Sequence, residues 1–506
     1  MIPAEDRLIA DLEPAPRASR TLRGQPRAAG AAALPLVVDL DGTLTRCSLL
    51  AESVNSFMLA HPFAIGRLLA WRCAGRAVLA ERLALGGASV DVEHLPYNEE
   101  LLGWLREEKA RGRKLVLASS AHSLVADKVA LHLGLFDDVI AADDGASMDA
   151  GARRDELAQR YGAGGFEYVG SSRQDPCICD VAARTHVAGA AGPLLARARA
   201  NGKLGRTMAG GAPALPLALL AAMRPHQWVK NLLVFAALVA SQRYGEARGL
   251  ACALAAFAAF GLAASSVYLL NDLADVANDR HHPRKRNRPF AAGKLGIGAG
   301  WLAWPLLLGA AFALAAATLP PAFAVCLAVY AATTVAYSMR LKQVPMLDVL
   351  TLAMLYTLRV VAGAVAVAAP LSFWLLTFAM FVFLSLAMLK RYSELAALRE
   401  EGKTDTVRGR SYQTQDLHLV AALGAAAGYT AVLVLALYIQ DAHTGARYTH
   451  PEWIWLACPL LLFWMSRNWF LSHRGQMHDD PIVFALKDRA SWIVAALFCA
   501  VFLLAR

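Results

Sequence analysis

Cysteine is scarce and scattered in this chain, and its spacing builds no disulfide or zinc framework. The eight thiols are Cys47, Cys73, Cys177, Cys179, Cys252, Cys326, Cys458 and Cys499. They include one CxC pair but no second pair to complete a zinc site, so all eight read as reduced. Charge is also thin, at 18% of residues with a net +10. No basic-aromatic stripe accompanies that excess, which argues against a nucleic-acid partner and for basic loops beside a membrane. Residues 1–30 carry Glu5, Asp6, Asp11 and Glu13 and lack the apolar core of a secretory signal. Rich in Ala, Pro and Arg, residues 1–33 are expected to be a disordered cytosolic tail. No repeat of fixed period runs through the chain. What is plentiful is apolar surface: 57% hydrophobic residues and a mean hydropathy of +0.39.

That surplus is concentrated after residue 205. Apolar segments near 229–242, 250–270, 300–318, 321–338, 347–368, 372–389, 417–438, 452–466 and 490–505 predict about nine membrane crossings. With the amino terminus inside, alternate loops collect the cations. Arg280, Arg284, Lys285, Arg286, Arg288 and Lys294 follow the second span, and Arg340 and Lys342 the fourth. Lys390, Arg391, Lys403, Arg408 and Arg410 follow the sixth, and Arg474, Lys487 and Arg489 precede the ninth. The opposite loops hold only Arg243, Arg248 and Arg447. This asymmetry predicts a multi-pass protein of the cytoplasmic (inner) membrane, with its charged loops and amino-terminal domain in the cytoplasm.

The loop after the second span carries acids as well as bases. Asn271, Asp272, Asp275, Asn278 and Asp279 run directly into Arg280, Arg284, Lys285, Arg286 and Arg288. If helix continues past Asn271, Asp272, Asp275 and Asp279 fall at i, i+3 and i+7, on one face. Carboxylates converging this way suit Mg²⁺, which binds through one or two carboxylates and a substrate's phosphates. The adjoining Arg and Lys side chains suit phosphate oxygens. A plain solvated loop that sets topology is the simpler reading, and the interleaving of acids with bases argues against it. Arg359 lies inside the fifth predicted span; it either pairs between helices or lines a polar cavity.

These residues resemble the UbiA superfamily of intramembrane prenyltransferases, in which nine helices surround a central cavity. In that family two acidic motifs on cytosolic loops hold Mg²⁺ and the donor's diphosphate. The first is matched by Asn271, Asp272, Asp275 and Asp279. The second departs from the usual acid-rich pattern, reading Tyr337-Ser-Met-Arg-Leu-Lys342 followed by Asp348. That departure is similar to the decaprenyl-phosphate phosphoribosyltransferase branch, as are the stretches at 224–231, 358–363 and 479–489. The resemblance covers roughly 215–506. It implies metal ligation by Asp272, Asp275 and Asp279. It also implies substrate contacts from Lys230, Asn271, Arg284, Arg288, Tyr337, Lys342 and Asp348.

The first two hundred residues predict a soluble α/β domain. The apolar run Leu34-Pro-Leu-Val-Val ends in Asp39-Leu-Asp41-Gly-Thr43. A buried parallel strand delivers site residues at its carboxyl end. Lys114-Leu-Val-Leu-Ala-Ser119-Ser120 and Phe166-Glu-Tyr-Val-Gly170 predict two more strands, and 44–112 reads as a mostly helical insertion. DxDGT after such a strand resembles the haloacid dehalogenase-like phosphohydrolases, over about 34–190. The resemblance implies Asp39 as nucleophile, Asp41 as general acid/base, Ser119 holding the phosphoryl group, and Asp39 with Asp175 as Mg²⁺ ligands. Two departures stand out. The family's lysine is missing from its expected place, where Arg153 and Arg154 lie, and the acidic motif reads Gly170-Ser171-Ser-Arg-Gln-Asp175, a serine replacing one acid. An active phosphatase and a degenerate or regulatory domain both remain open.

The expected architecture is therefore a Rossmann-like domain at 34–190, a linker at 191–215, and an all-α membrane bundle at 216–506. The expected activity is Mg²⁺-dependent transfer from phosphoribosyl diphosphate to a polyprenyl phosphate, with the soluble domain acting on the product. Transfer of an isoprenyl group from its diphosphate to an aromatic or other acceptor is the alternative within the family. A transporter or lipid-binding membrane protein is the alternative from another class.

Overall fold

Leu36, Val37 and Val38 have no exposed surface and Asp39 has 2%. Such a run is stable only as a central strand covered on both faces. In the computed structural model it forms β1 (Leu36–Asp39), flanked in parallel by β2 (Leu115–His122) and β4 (Glu167–Gly170). β3 (Asp138–Ala142), β5 (Arg184–Ala188) and β6 (Leu204–Met208) complete a six-stranded sheet, ordered β3-β2-β1-β4-β5-β6. Every pairing is parallel. The structure describes residues 33–505 except 87–89, 143–147, 172–174, 190–191, 209–213, 401–411, 441–447 and 478–479. The expected amino-terminal tail, apart from Ala33, lies outside the described residues, as do Lys403, Arg408, Arg410 and Arg447.

Four helices interrupt the sheet after β1: α1 (Leu49–Ala60), α2 (Ile65–Ala74), α3 (Arg76–Leu85) and α4 (Glu99–Ala110). This is the expected helical insertion. Phe57, Leu68, Leu79 and Leu83 form its own small buried cluster. α5 (Ser123–Leu133), α6 (Ala150–Tyr161), α7 (Pro176–Val181) and α8 (Gly192–Ala200) connect the remaining strands.

The stretch 191–215 is not the linker expected from its Ala- and Gly-rich composition. It supplies α8 and then β6, whose backbone pairs with β5 at Leu204, Thr207 and Met208. β6 was hidden because it is an edge strand, with Arg206 and Thr207 exposed and only Met208 buried. An edge strand needs no alternating apolar face.

The chain divides into two units. The first comprises Met1–Leu219 together with Asp272–Gly300; the second comprises Leu220–Asn271 and Trp301–Arg506. The acidic loop, expected to belong to a membrane domain at 216–506, thus belongs with the soluble fold.

In the second unit, seven helical segments among the described residues are long and apolar enough to span a membrane. They are α9 (Ala247–Ala274), Ile297–Thr318, Pro321–Met339, Leu347–Ala366, Phe373–Glu400, Thr414–Gln440 and Pro451–His473. The other two expected crossings differ. The segment expected at 229–242 is a 3₁₀ helix, Pro225–Phe235, followed by the short α-helix Ala236–Ala240. The last, Arg489–Leu504, has 16 residues, short of the roughly 20 that a full crossing takes. The broken segment has a structural partner in Gly363. A Cβ there would lie 2.0 Å from the carbonyl oxygen of Val234, so only glycine permits this backbone approach.

Candidate active sites

β1 delivers its two acids as the spacing predicts. Asp39 ends the strand; Gly42, at φ +75°, lets the chain turn sharply behind it. Thr43 Oγ1 donates to Asp39 Oδ2 at 3.1 Å. Asp41 receives three hydrogen bonds: the amide of Leu49 at 2.7 Å, and the Ser119 and Ser120 hydroxyls at 3.3 Å each. Ser119 is wholly buried at the end of β2, where its oxygen also accepts from the amide of Ala121. The structure therefore gathers Asp39, Asp41 and Ser119 at the carboxyl edge of the sheet.

Of the two arginines expected in the place of the missing lysine, Arg153, 4% exposed on α6, is the one that reaches Asp39. Its Nη1 bonds Asp39, and its Nη2 lies 3.5 Å from Asp175 Oδ1. Asp175 is fully buried. Burial, joined by Asp175 and Asp41, pushes the Asp39 carboxyl up to about 8 against the pull of Arg153. Ser171 does not point a charge at this site. Its hydroxyl lies 2.9 Å from Thr43 Oγ1 and donates to the Gly42 carbonyl at 2.7 Å, bracing the turn after β1. Lys128 is exposed on α5. Arg76 is a residue that the pattern did not single out. It begins α3 of the insertion, and its Nη2 reaches the Ser120 hydroxyl at 3.3 Å.

The acidic loop makes a second site within the same unit. α9 runs on to Ala274, the chain breaks helix at Asp275, and α10 (Val276–His281) resumes. Asp272 and Asp279 are 1% and 3% exposed. Both reach a single nitrogen, Arg288 Nη1, at 3.2 Å and 2.7 Å. Burial raises the Asp279 carboxyl above its ordinary range even with Arg288 beside it. One cation already bridges the two carboxylates, and carboxylate oxygens are the donors that a divalent metal such as Mg²⁺ takes. Asp275 is half-buried at the helix break, adjoining this pair in the chain. Arg284 lies exposed in the loop, its amide on His282, and is not brought to the carboxylates.

Three polar clusters of the second unit involve the expected site residues or Arg359. Lys230 Nζ and Lys390 Nζ each bond Asp480 Oδ2 at 3.0 Å. Burial works against ionisation of Asp480, but the two lysines hold its carboxyl well below the usual range. Arg359 is 5% exposed; it donates to Asn231 Oδ1 at 2.9 Å, to the Tyr330 hydroxyl at 3.1 Å and to the Leu355 carbonyl at 2.6 Å. Its partners are thus neutral groups.

Tyr337 and Asp348 meet in the third cluster. The tyrosine donates to Asp348 at 2.7 Å, and Arg391 grips the same carboxylate with two nitrogens. Asp348 has no exposed surface and Arg391 1%. Tyr337 itself is half-buried, and the cluster ties together Pro321–Met339, Leu347–Ala366 and Phe373–Glu400. Lys342 is half-buried in the 3₁₀ turn Leu341–Gln343, and Asn271 is half-buried near the end of α9. The roles of Asp480, Lys390 and Arg391 rest on pairings across 43 to 250 residues, which no local pattern signals.

A parallel α/β unit that carries both DxDGT and the acidic loop, with a second unit of long apolar helices, defines the class: a multi-pass membrane protein with an α/β domain. The model of the UbiA prenyltransferase family matches residues 231–494, and the chain belongs to that family. It is 35% identical over 475 residues to uncharacterized protein y4nM of Sinorhizobium fredii, covering 93% of this chain and 91% of that one. It is 34% identical to the decaprenyl-phosphate phosphoribosyltransferase of Mycobacterium tuberculosis, covering 55% of this chain and 91% of that one. A UbiA homolog from Archaeoglobus fulgidus, solved bound to GPP and Mg²⁺, aligns over 57% of this chain at 18% identity and a TM-score of 0.44. The chain is thus a multi-pass membrane transferase.

Proposed function

We propose that the chain transfers a phosphoribosyl group from phosphoribosyl diphosphate to a polyprenyl phosphate at the cytoplasmic face of the inner membrane. The observation that carries this reading is the convergence of Asp272 and Asp279 on one cation position in a basic loop. The similarity to a protein named decaprenyl-phosphate phosphoribosyltransferase favours this donor over an isoprenyl diphosphate. An oxygen of the lipid phosphate attacks the anomeric carbon of the ribose. The new O–C bond forms as the C–O bond to the diphosphate breaks, and pyrophosphate leaves with the bonding electrons. Asp272, Asp275 and Asp279 would hold Mg²⁺, which supplies Lewis-acid stabilisation of that leaving group. Arg288, freed from its carboxylates, turns to phosphate oxygens, where a planar guanidinium binds bidentately. In the second unit, Lys230, Lys342 and Asn271 offer polar groups of their own, while Tyr337 and Asp348 brace its helices.

The soluble site suits a following step, removal of the ribose 5-phosphate. Asp39 attacks phosphorus to form an aspartyl phosphate, and Asp41 protonates the departing ribose hydroxyl. Asp41 then accepts a proton from water as it attacks phosphorus, releasing inorganic phosphate and restoring Asp39. Ser119 steadies the phosphoryl group, and Asp39 with Asp175 would hold Mg²⁺.

The test is donor discrimination with the full chain in detergent. Label from the sugar of phosphoribosyl diphosphate should enter lipid, and Asp272→Asn or Asp279→Asn should lower that rate by roughly 100-fold. Label entering an aromatic acceptor from an isoprenyl diphosphate instead would overturn the donor assignment. Asp39→Asn should leave sugar transfer intact and stop phosphate release; undiminished release would remove the second step.

A further inference from the structure

Each of the two converging carboxylates is chain neighbour to a residue that the soluble domain holds. Asp272 precedes Leu273, whose carbonyl accepts from Asn55 Nδ2 at 2.9 Å. Asp279 precedes Arg280, whose Nη2 and Nη1 lie 2.5 Å and 3.2 Å from the two oxygens of Glu52. Glu52 and Asn55, three residues apart on α1, are 7% and 5% exposed. The Arg280 side chain is equally hidden, and its Nε donates to the Ala291 carbonyl on the returning arm of the loop. Two outer contacts add to these. His281 Nε2 meets Asp91 Oδ2 at 2.9 Å, and Gly293, at φ +67°, packs so closely that a Cβ would come within 2.7 Å of Arg46.

We infer that Glu52 is a positioning residue for the transferase: through Arg280 it sets the angle at which Asp279 faces Asp272, so that the soluble domain completes the metal-diphosphate loop. This rests on the proposed reading of the loop as that site. The physical reason is geometric. A loop joining two membrane helices has no packed core of its own, yet metal ligands must be held to a fraction of an ångström. Partners one shell out from metal ligands commonly control affinity by 10- to 100-fold. A bidentate, desolvated Arg–Glu pair fixes both position and rotation, which a lone hydrogen bond does not. The proposal also gives α1 a role outside phosphohydrolase chemistry, since Glu52 and Asn55 bond the loop.

The experiment uses full-length protein in detergent, in an Asp39→Asn background that silences the soluble metal site, with Mn²⁺ binding followed by electron paramagnetic resonance. Glu52→Gln should weaken Mn²⁺ by about tenfold, shifting the midpoint of the titration and not its endpoint. Arg280→Lys, which keeps the charge but loses the fork, should fall between it and the parent. Amide exchange over 276–293 should quicken in both, with β1 and β2 unchanged as proof of an intact fold. Should Glu52→Gln not fold, Arg280→Lys carries the test. Mn²⁺ affinity within twofold of the parent, in the variant that folds, overturns the inference. Asp279→Asn separates this failure from that of the underlying reading: if it binds Mn²⁺ as the parent does, the loop is not the metal site. If it abolishes binding while Glu52→Gln leaves it intact, only the role of Glu52 fails.

Discussion

Arg153 and Arg288 perform the same task at two sites, each placing one guanidinium between two buried carboxylates. Removing such a cation leaves buried negative charge without compensation, which typically costs roughly 3–5 kcal/mol. Arg153→Met should therefore lower the thermal stability of the soluble unit by about that amount, whereas Arg153→Lys should recover much of it. Thermal unfolding of the full chain, followed by amide exchange in β1, checks both. A further arginine governs acid sensitivity. Arg113 bonds Glu108 at 3.0 Å and Glu167 at 2.7 Å, and His186 joins Glu167 at 2.9 Å. Burial opposes ionisation of both glutamates, yet these partners hold them below their ordinary 4.5. At low pH the unfolded chain then binds more protons than the folded one, so stability rises with pH. The contribution is whole above that ordinary value and drains away as pH falls through the lower, folded-state values. Unfolding measured between about pH 3 and pH 6 should show this acid limb, and Arg113→Gln should flatten it.

At the scale of elements, what could be read in the sequence was what depends on near neighbours. β1 and β2 announce themselves as short apolar runs ending in acids or hydroxyls, whereas the one face expected for Asp272, Asp275 and Asp279 assumed a continuous helix, which breaks at Asp275. The long apolar helices follow from composition alone. The missed features all depend on distant partners. β6 is a strand only because β5 lies beside it, and Pro225–Phe235 winds as 3₁₀ where hydropathy suggested an ordinary crossing. Asp480 finds Lys230 across 250 residues and Lys390 across 90. Arg76 and Glu52 look like ordinary surface charges of helices until the insertion folds. The Gly363 contact tests the packing of the broken segment. Gly363→Ala must push the Val234 carbonyl aside, at a cost of about 1–3 kcal/mol, and should lower the melting temperature in detergent. An unchanged melting temperature would mean that the two backbones are not in contact.

For the whole molecule, the division into units differs from the division into soluble and membrane sequence. The acidic loop counts with the first two hundred residues, so a ligand bound there must also stabilise part of the soluble fold by mass action. Mg²⁺ with phosphoribosyl diphosphate should slow amide exchange in α1 as well as in 272–300. Exchange in α1 that ignores these ligands would argue that the two segments move independently. The similarity to y4nM extends over 93% of this chain, so a protein resembling both halves joined is found in a second sequence.

The hydrogen bond from Asn55 to the Leu273 carbonyl carries a consequence for the order of synthesis. The last carbonyls of a helix need outside donors, and here the donor precedes the acceptor by 218 residues. At about 5–20 residues per second, Asn55 leaves the ribosome roughly 10–40 s before Leu273. α1 can thus be folded and waiting when the carboxyl end of α9 emerges, and that helix ends on a donor made in advance. A change that merely delays folding of the soluble domain would then surface somewhere unexpected, as a frayed end on a helix already in the bilayer.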